Sequence, residues 1–422
     1  MTYIKNNLLS IICLILILFI VASGIRYMGH INDDHQATDN QDASTENSVN
    51  NFIEILGDGG NVSFAASKGL RSAISVYCSF TAISSGSWPW NPYPTEQTYY
   101  SAGSGVIYDL DKDGNAFIIT NYHVVYDADC NTEDHISDKI FIYLFGKESE
   151  EYAIEASYVG GSPNYDIAVL KVEGNEILAE AFASGAAAPI SVASSDEISA
   201  GDVAIAIGNP SASDVSGISV TKGIISVDSE YITMTGADER SEVTYRVIRV
   251  DTPINSGNSG GGLFNSEGNL IGIVNAKIST DSIENIGYAI PSSIVRAVAD
   301  NIIDYCYYEN YTGVMRCILG ITIQTTALNT SYDIETGKIN KLEDISVVEV
   351  SAGSLADGEF QEGDIIKSIT VGENTTEVTR QHHLIDAMLD VRVGDTVTVS
   401  VERNRKNITI AITVSEDCLA IY

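Results

Sequence analysis

The chain has 422 residues, 44 % of them apolar and 19 % charged, which fits a globular protein large enough for two or three domains and a substantial core. Its 23 Lys and Arg stand against 57 Asp and Glu, a net charge of −34, and such a surface repels phosphate backbones and excludes a nucleic-acid partner. No fixed repeat period occurs and there is one long apolar run, so collagen-like, coiled-coil and multi-span membrane architectures are excluded as well.

The apolar run is Leu8–Ile25, 18 residues without a charge, preceded by Lys5 and followed by Arg26. As a helix it covers about 27 Å, enough to cross a bilayer core. The sequence therefore predicts an N-terminal transmembrane anchor within residues 1–26, the alternative being a signal peptide cut near Val21 and Ser23. Lys5 and the terminal amine stay in the cytoplasm, which places everything after Arg26 outside the cell membrane. Residues 27–64 are rich in Asp, Asn, Ser, Gln and Thr and read as an acidic, solvated linker.

From Ala65 to Ile290, short β-branched and aromatic runs are cut by Gly, Asn, Asp and Ser, as in GVIYDL, AFIITNYHVV, DIAVLKV, DVAIAIG and LIGIVNA. This spacing predicts antiparallel barrels or a sandwich, closed by a helical stretch from Pro291 to about Asp304. Three sites in it carry chemistry. His123 ends an apolar strand in TNYHVV, Asp166 leads into a strand in NYDIAVL, and Ser259 sits in the Gly-rich turn NSGNSGGG. A serine hydroxyl is a poor nucleophile until an imidazole takes its proton, and a buried carboxylate must hold that imidazole in the right tautomer. Gly around the Ser permits a tight turn whose N–H groups face a developing oxyanion. Each signal alone is common in structural roles. Together, in the order His, Asp, Ser, they match one of the known triad orders.

These stretches resemble the HtrA/Deg serine proteases. SGVIYDLDKDGNAFIITNYHVV is similar to that family's hairpin into the catalytic His, YDIAVLKV to its Asp strand, and RVDTPINSGNSGGGLFNSEGNLIGIVNAKI to its nucleophile loop. ENIGYAIPSSIV is similar to its closing strand and helix. The resemblance implies a chymotrypsin-like double β-barrel over residues 65–305, with Ser259 as nucleophile, His123 as general base and Asp166 orienting it. It implies an oxyanion hole at Gly257, Asn258 and Ser259, formed by the N–H groups of Gly257 and Ser259 with Asn258 shaping the turn. One departure is Gly262, where the family pattern usually has Pro. The resemblance also implies a small apolar specificity pocket, with Thr221 to Ile225 on a strand nearby; Pro253, six residues before the nucleophile, offers no acidic group, which argues against a preference for Lys or Arg.

Other motifs are read as structural. Asp109, Asp111, Asp113 and Gly114 imitate the start of a Ca²⁺ loop, but Thr120 stands at the twelfth position and strands flank it, so a hairpin turn is expected. Residues 84–101 gather Trp88, Trp90, Tyr93, Tyr99 and Tyr100, read either as a regulatory or trimer-contact loop or as rings covering the barrel. Export permits disulfides, Cys306 with Cys317 and Cys78 with Cys130, leaving Cys418 free. No CxxC or HExxH occurs, so no metal or other cofactor is expected, and His382 and His383 are placed on a helix surface.

After Cys317 the pattern changes to ILGITI, ISVVEVSAGSLADGEFQEGDIIKSITV, the helical HHLIDAMLDV, and TVTVSVER with NITIAITV. This resembles an HtrA-type PDZ domain, over residues 314–422, and implies that N–H groups around Leu319, Gly320 and Ile321 receive a peptide carboxylate. An exposed sheet edge accepts a peptide as an added strand. The whole is mainly β, with an N-terminal membrane helix. It reads as an extracytoplasmic endopeptidase for unfolded exported proteins, its PDZ domain binding C-terminal peptides, and the family implies a homotrimer. The alternatives are a regulatory protease dedicated to one membrane substrate and a non-catalytic binding or chaperone protein.

Overall fold

The structure, a computed structural model, describes residues 62–84, 95–210, 217–278, 286–309 and 313–421. The Leu8–Ile25 run, Trp88, Trp90 and Tyr93 lie outside them, and among the described residues no helix is long and apolar enough to cross a membrane. A helix over residues 62–70, α1, starts inside the stretch expected to be linker, because Val62, Ala65 and Leu70 pack in the apolar cluster shared by the two barrels.

Six strands close the first barrel: β1 (Ala73–Ser84), β2 (Thr95–Leu110), β3 (Ala116–Thr120), β4 (Lys139–Leu144), β5 (Ile154–Ser162) and β6 (Ile167–Val172), in the order β1-β2-β3-β6-β5-β4. One turn of helix, α2 (Tyr122–Val125), follows β3, and α3 (Glu176–Ser184) follows β6. The second barrel comprises β7 (Val203–Gly208), β8 (Ser219–Thr235), β9 (Glu242–Val250), β10 (Gly262–Phe264), β11 (Leu270–Asn275) and β12 (Gly287–Pro291), ordered β10-β11-β12-β9-β8-β7. The seam between the barrels explains their most apolar strands. In β6, Ala168 and Leu170 enter the first barrel beside Ile74 and Ile118, while Ile167 and Val169 face a shared cluster with Ile205, Ile207 and Phe264. Successive side chains point to opposite faces, so a strand buried on both must be apolar throughout. Helix α4 (Ser292–Ile302) adds Val295, Val298, Ala299 and Ile302 to that cluster, the spacing of one helical face.

Next, β13 (Met315–Cys317) pairs with β20 (Leu419–Ile421). The C-terminal sheet orders β14 (Ile321–Tyr332), β15 (Ile339–Val350), β16 (Ile365–Val371), β18 (Thr396–Arg403) and β19 (Lys406–Thr413), with β17 (Asn374–Glu377) on β16. Its core gathers Ile345, Ile366, Val399, Ile410 and Leu384, the last from α5 (Gln381–Ala387).

The two folded parts are joined by ion pairs around α4 and α5. Arg246 Nη2 lies 3.0 Å from Asp386 Oδ2 and donates to Ser293 Oγ, which in turn donates to Asp386. Arg246 is only 6 % exposed. Burial pushes the Asp386 carboxyl up to about 6, against the pull of Arg246. Arg296 pairs with Asp390 at 2.7 Å on the rim of the same contact.

The expected disulfides do not form: Cys78, Cys130, Cys306 and Cys317 are all free thiols, as is Cys418. Cys306 belongs to the cluster shared by the barrels and Cys317 to the core of the C-terminal sheet. The Cys130 thiol donates to the Ile136 carbonyl instead of meeting Cys78. Burial pushes the thiols of Cys78 and Cys317 up to about 12 and about 11, which keeps them in their unreactive form.

Arg246→Ala leaves Asp386 buried without its counter-charge and is expected to cost about 3–5 kcal/mol. The rim change Arg296→Ala is expected to cost at most about 1 kcal/mol. Denaturant midpoints of the two variants, compared with wild type, check the ranking. Equal shifts would remove Arg246–Asp386 from its place as the buried keystone.

Candidate active site

Of the three residues singled out in the sequence, His123 and Asp166 are in contact where the barrels meet, and Ser259 is tied to the same seam through Ala276, next to the Asn275 that holds Asp166. Asn121 starts α2, so His123 is presented at the mouth of the first barrel. Asp166 precedes β6 with a left-handed backbone, φ +51°, a conformation that Asp tolerates better than most residues. Asn121 Nδ2 fixes that turn by donating to the Asp166 carbonyl at 2.8 Å.

The Asp166 carboxylate, 2 % exposed, collects three donors. His123 gives its backbone N–H to Oδ1 at 3.0 Å, His123 Nδ1 meets Oδ2 at 2.7 Å, and Asn275 Nδ2 donates to the same Oδ2 at 2.6 Å. An ionised carboxylate only accepts, so Nδ1 carries the proton and Nε2 keeps its lone pair. Asn275 ends β11 of the second barrel, so the carboxylate is gripped from both sides of the seam.

Ser259 is 5 % exposed, and its Oγ accepts from the Ala276 N–H at 3.1 Å. Its loop is built by hydrogen bonds that leave two amides over. Asn258 N–H is given to the Asn255 carbonyl, Gly260 N–H to Val274 and Gly261 N–H to Asn258. Among the described residues the N–H groups of Gly257 and Ser259 are given to nothing. Asn258 thus shapes the turn and offers no amide of its own to an oxyanion. Gly257 and Gly260 have φ of +93° and +85°, which the turn requires.

Ser104 was not legible as a site residue, yet it ties the loop to the first barrel. Its Oγ donates to the Gly257 carbonyl at 2.7 Å and accepts from Asn209 N–H at 2.8 Å, while its N–H donates to the Ser259 carbonyl at 2.8 Å. The one hint in the sequence is its place in the small-residue run SAGSG, where Gly103 lets β2 approach Val124 and the Ser259 carbonyl. Thr221 Oγ1 donates to the Pro253 carbonyl, which sets that strand beside the expected specificity pocket.

The remaining expected sites are placed as follows. Asp111 Oδ1 accepts from the N–H groups of Asp113 and Asn115, both at 2.9 Å, so the acidic loop closes on itself as a hairpin turn between β2 and β3. Tyr99 stacks on Phe80 with ring centroids 5.5 Å apart, whereas Tyr100 is 78 % exposed. In the PDZ part, Gly320 has φ +84°, and the carbonyls of Leu319 and Gly320 accept from Ala356 and Ser351. The N–H groups of Leu319 and Gly320 are given to nothing among the described residues, and β14, which begins at Ile321, is an edge strand paired with β15 alone. His382 is not on a helix surface: it is 4 % exposed, against the protease part.

The departure at Gly262 has a local cause. A Cβ there would overlap the ring of Phe264 and come within 3.0 Å of Leu270 Cδ1. Phe264 is fully buried at the barrel seam, so its ring takes the room a larger residue 262 needs. Gly262→Ala is expected to cost about 1–3 kcal/mol through overpacking. Combined with Phe264→Leu, it should cost less than the sum of the two single changes. Thermal unfolding of the four proteins in the cycle checks this, and strict additivity would contradict the account.

A family model of trypsin-like peptidase domains matches residues 103–273, and one of PDZ domains matches residues 318–414. The chain is 33 % identical over 324 residues to the serine protease Do-like HtrA of Bacillus subtilis, covering 76 % of this chain and 65 % of that protein. It is 30 % identical over 325 residues to the serine protease Do-like HtrA of Lactococcus lactis subsp. cremoris, covering 75 % and 71 %. Among solved structures, the HtrA-type protease AlgW with decapeptide superimposes with a TM-score of 0.50 at 26 % identity, covering 84 % of this chain and 98 % of that one. The fold, the seam and these relatives agree: the chain belongs to the HtrA family of Do-like serine proteases, with a trypsin-like domain followed by one PDZ domain.

Proposed function

We propose that this chain is an exported, membrane-tethered serine endopeptidase that cuts unfolded or misfolded proteins, guided by C-terminal peptides held at its PDZ domain. The observation that carries the reading is the site at the seam: His123 held on Asp166 in the first barrel, Ser259 of the second bound through Ala276 next to Asn275, and the Gly257 and Ser259 amides ungiven. The tether and the export rest on the Leu8–Ile25 run between Lys5 and Arg26. Trimeric assembly is part of the same proposal.

The chemistry follows from the protonation pattern. Ser259 Oγ leaves its bond with Ala276 N–H, passes its proton to His123 Nε2 and attacks the scissile carbonyl carbon. His123 is then imidazolium, and its Nδ1–H faces a carboxylate fixed by two further donors, which stabilises the charge and blocks rotation of the ring. The carbonyl oxygen, now negative, meets the two free amides. His123 returns the proton to the leaving amine, which departs and leaves an acyl ester on Ser259. Water attacks that ester with His123 again as base, and the free Ser259 and the new carboxyl end are released.

For the PDZ part, the free amides of Leu319 and Gly320 beside an unpaired strand edge support capture of a terminal carboxylate. Amidating the C-terminus of an apolar test peptide should then weaken its binding at least roughly tenfold, as read by fluorescence titration. Equal binding of acid and amide would leave the peptide reading without support.

The deciding experiment compares wild type with Ser259→Ala on a denatured, unlabelled protein. Fragments are expected from wild type alone. Asn275→Ala should keep the fold and lower kcat/KM about 10- to 100-fold, the worth of one charge-assisted hydrogen bond to Asp166. No cleavage by wild type, with or without apolar C-terminal peptides, would turn the reading towards a dedicated regulatory protease or a binding protein.

A further inference from the structure

One cluster at the contact between the trypsin-like and PDZ parts has no role in the chemistry above. Asp196, in the loop before β7, faces His382 and His383 at the start of α5. One donor atom from each of these residues lies within 4.8 Å of the other two. His382 Nε2 is 3.5 Å from Asp196 Oδ1, too far for a strong hydrogen bond, and the two imidazoles stand edge to face with ring centroids 4.5 Å apart. We propose that Asp196, His382 and His383 form a zinc site that clamps the PDZ helix to the protease domain.

Three observations carry this. First, His383 is oriented as a metal ligand is. Its Nδ1 lies 3.1 Å from the Glu377 carbonyl, which can only accept, so Nδ1 holds the proton and Nε2 presents a lone pair. Ligating histidines usually give their other nitrogen's proton to such a backbone carbonyl. Second, the Asp196 carboxylate is held only loosely, with His382 Nε2 at 3.5 Å and Arg246 Nη1 at 3.6 Å. Arg246 gives Nη2 to Asp386 at 3.0 Å and turns Nη1 towards Asp196 at 3.6 Å, Arg296 is 2.7 Å from Asp390, and Arg380 pairs with Asp228. The carboxylates of Asp196, Asp228, Asp300, Asp386 and Asp390 thus stand against the guanidinium groups of Arg246, Arg296 and Arg380, and a divalent cation meets no excess of positive charge. Third, the place is reachable, since a cleft lined by Ser194, Asp196, Ser293, Arg296 and His383 opens beside it.

The donor set selects the metal. Two imidazoles and one carboxylate suit zinc better than magnesium or calcium, which favour all-oxygen shells. Tetrahedral zinc wants its donors about 3.4 Å apart, so the cluster has to draw in by about 1 Å, with water as fourth ligand. Because Asp196 belongs to one folded part and the two histidines to the other, bound zinc would resist their separation.

The test uses the full chain in mild detergent, carrying Ser259→Ala to prevent self-digestion and stripped with a chelator. Zinc is titrated against a chromophoric competitor. One zinc per chain is expected, and His383→Gln and Asp196→Asn should each weaken binding roughly 10- to 100-fold. Zinc should also raise the thermal midpoint of the parent protein and not that of either variant, while the zinc-free midpoints of all three agree. These paired readouts separate this cluster from His30, His35, His123 and His135 elsewhere in the chain. Absence of stoichiometric zinc in the parent, or parent-like affinity in both variants, would overturn the proposal.

Discussion

The structure turns on the Asp166 carboxylate. A buried carboxylate is costly unless its lone pairs are met, and here the donors come from both barrels: His123 supplies two from the first and Asn275 one from the second. The requirement to satisfy this one group therefore fixes how the barrels face each other. The same seam holds the shared cluster around Ile167, Val169, Ile205 and Phe264, so apolar packing and the polar grip act on one plane. Ser104 extends the arrangement to the nucleophile loop, with a hydroxyl and an amide that hold the carbonyls of Gly257 and Ser259. With those carbonyls held and the Asn258 amide used in the turn, the two remaining N–H groups are left over by the local geometry of the loop.

His123, Asp166 and Ser259 were legible in the sequence through their order and local settings, whereas Ser104 and Asn275 of the same seam were not. Ser259 lies among glycines that the turn demands at φ +93° and +85°, and Asp166 leads into a strand whose one polar residue is Lys171. Short β-branched and aromatic runs between turn residues marked the strands but left barrels and a sandwich open, and the double barrel came with the family resemblance. The departure at Gly262 was visible too, but its cause was not, because Phe264 reaches the same space only once β10 and β11 are paired.

What stayed hidden involved side chains that meet across long separations. Arg246, Ser293 and Asp386 carry no local signature, and a helix of seven residues such as α5 does not show which face it buries. His382 was expected at a surface because two adjacent histidines sit in a polar helical stretch; contact with the protease part buries it. The cysteines failed for a related reason. Proximity in sequence suggested Cys306 with Cys317, yet the chain between them crosses from one core to the other.

The charge balance gives this contact its character. In a chain with 23 Lys and Arg against 57 Asp and Glu, where the cations go is informative. Arg246 and Arg296 of the protease part meet Asp386 and Asp390, while Lys338, Lys341, Arg380 and Arg392 of the PDZ part meet Asp202, Asp228 and Asp304. Pairs run in both directions, so neither part presents a single sign of charge to the other. Most of these pairs are partly exposed and individually weak, and salt screens them. The Arg246–Asp386 pair is shielded from solvent and keeps its strength. In this acidic chain the two parts are thus joined by ion pairs with one buried pair at their centre, beside Leu389, which is buried in the apolar cluster of the barrels. The strength of such a contact depends on whatever changes the charge on a few carboxylates.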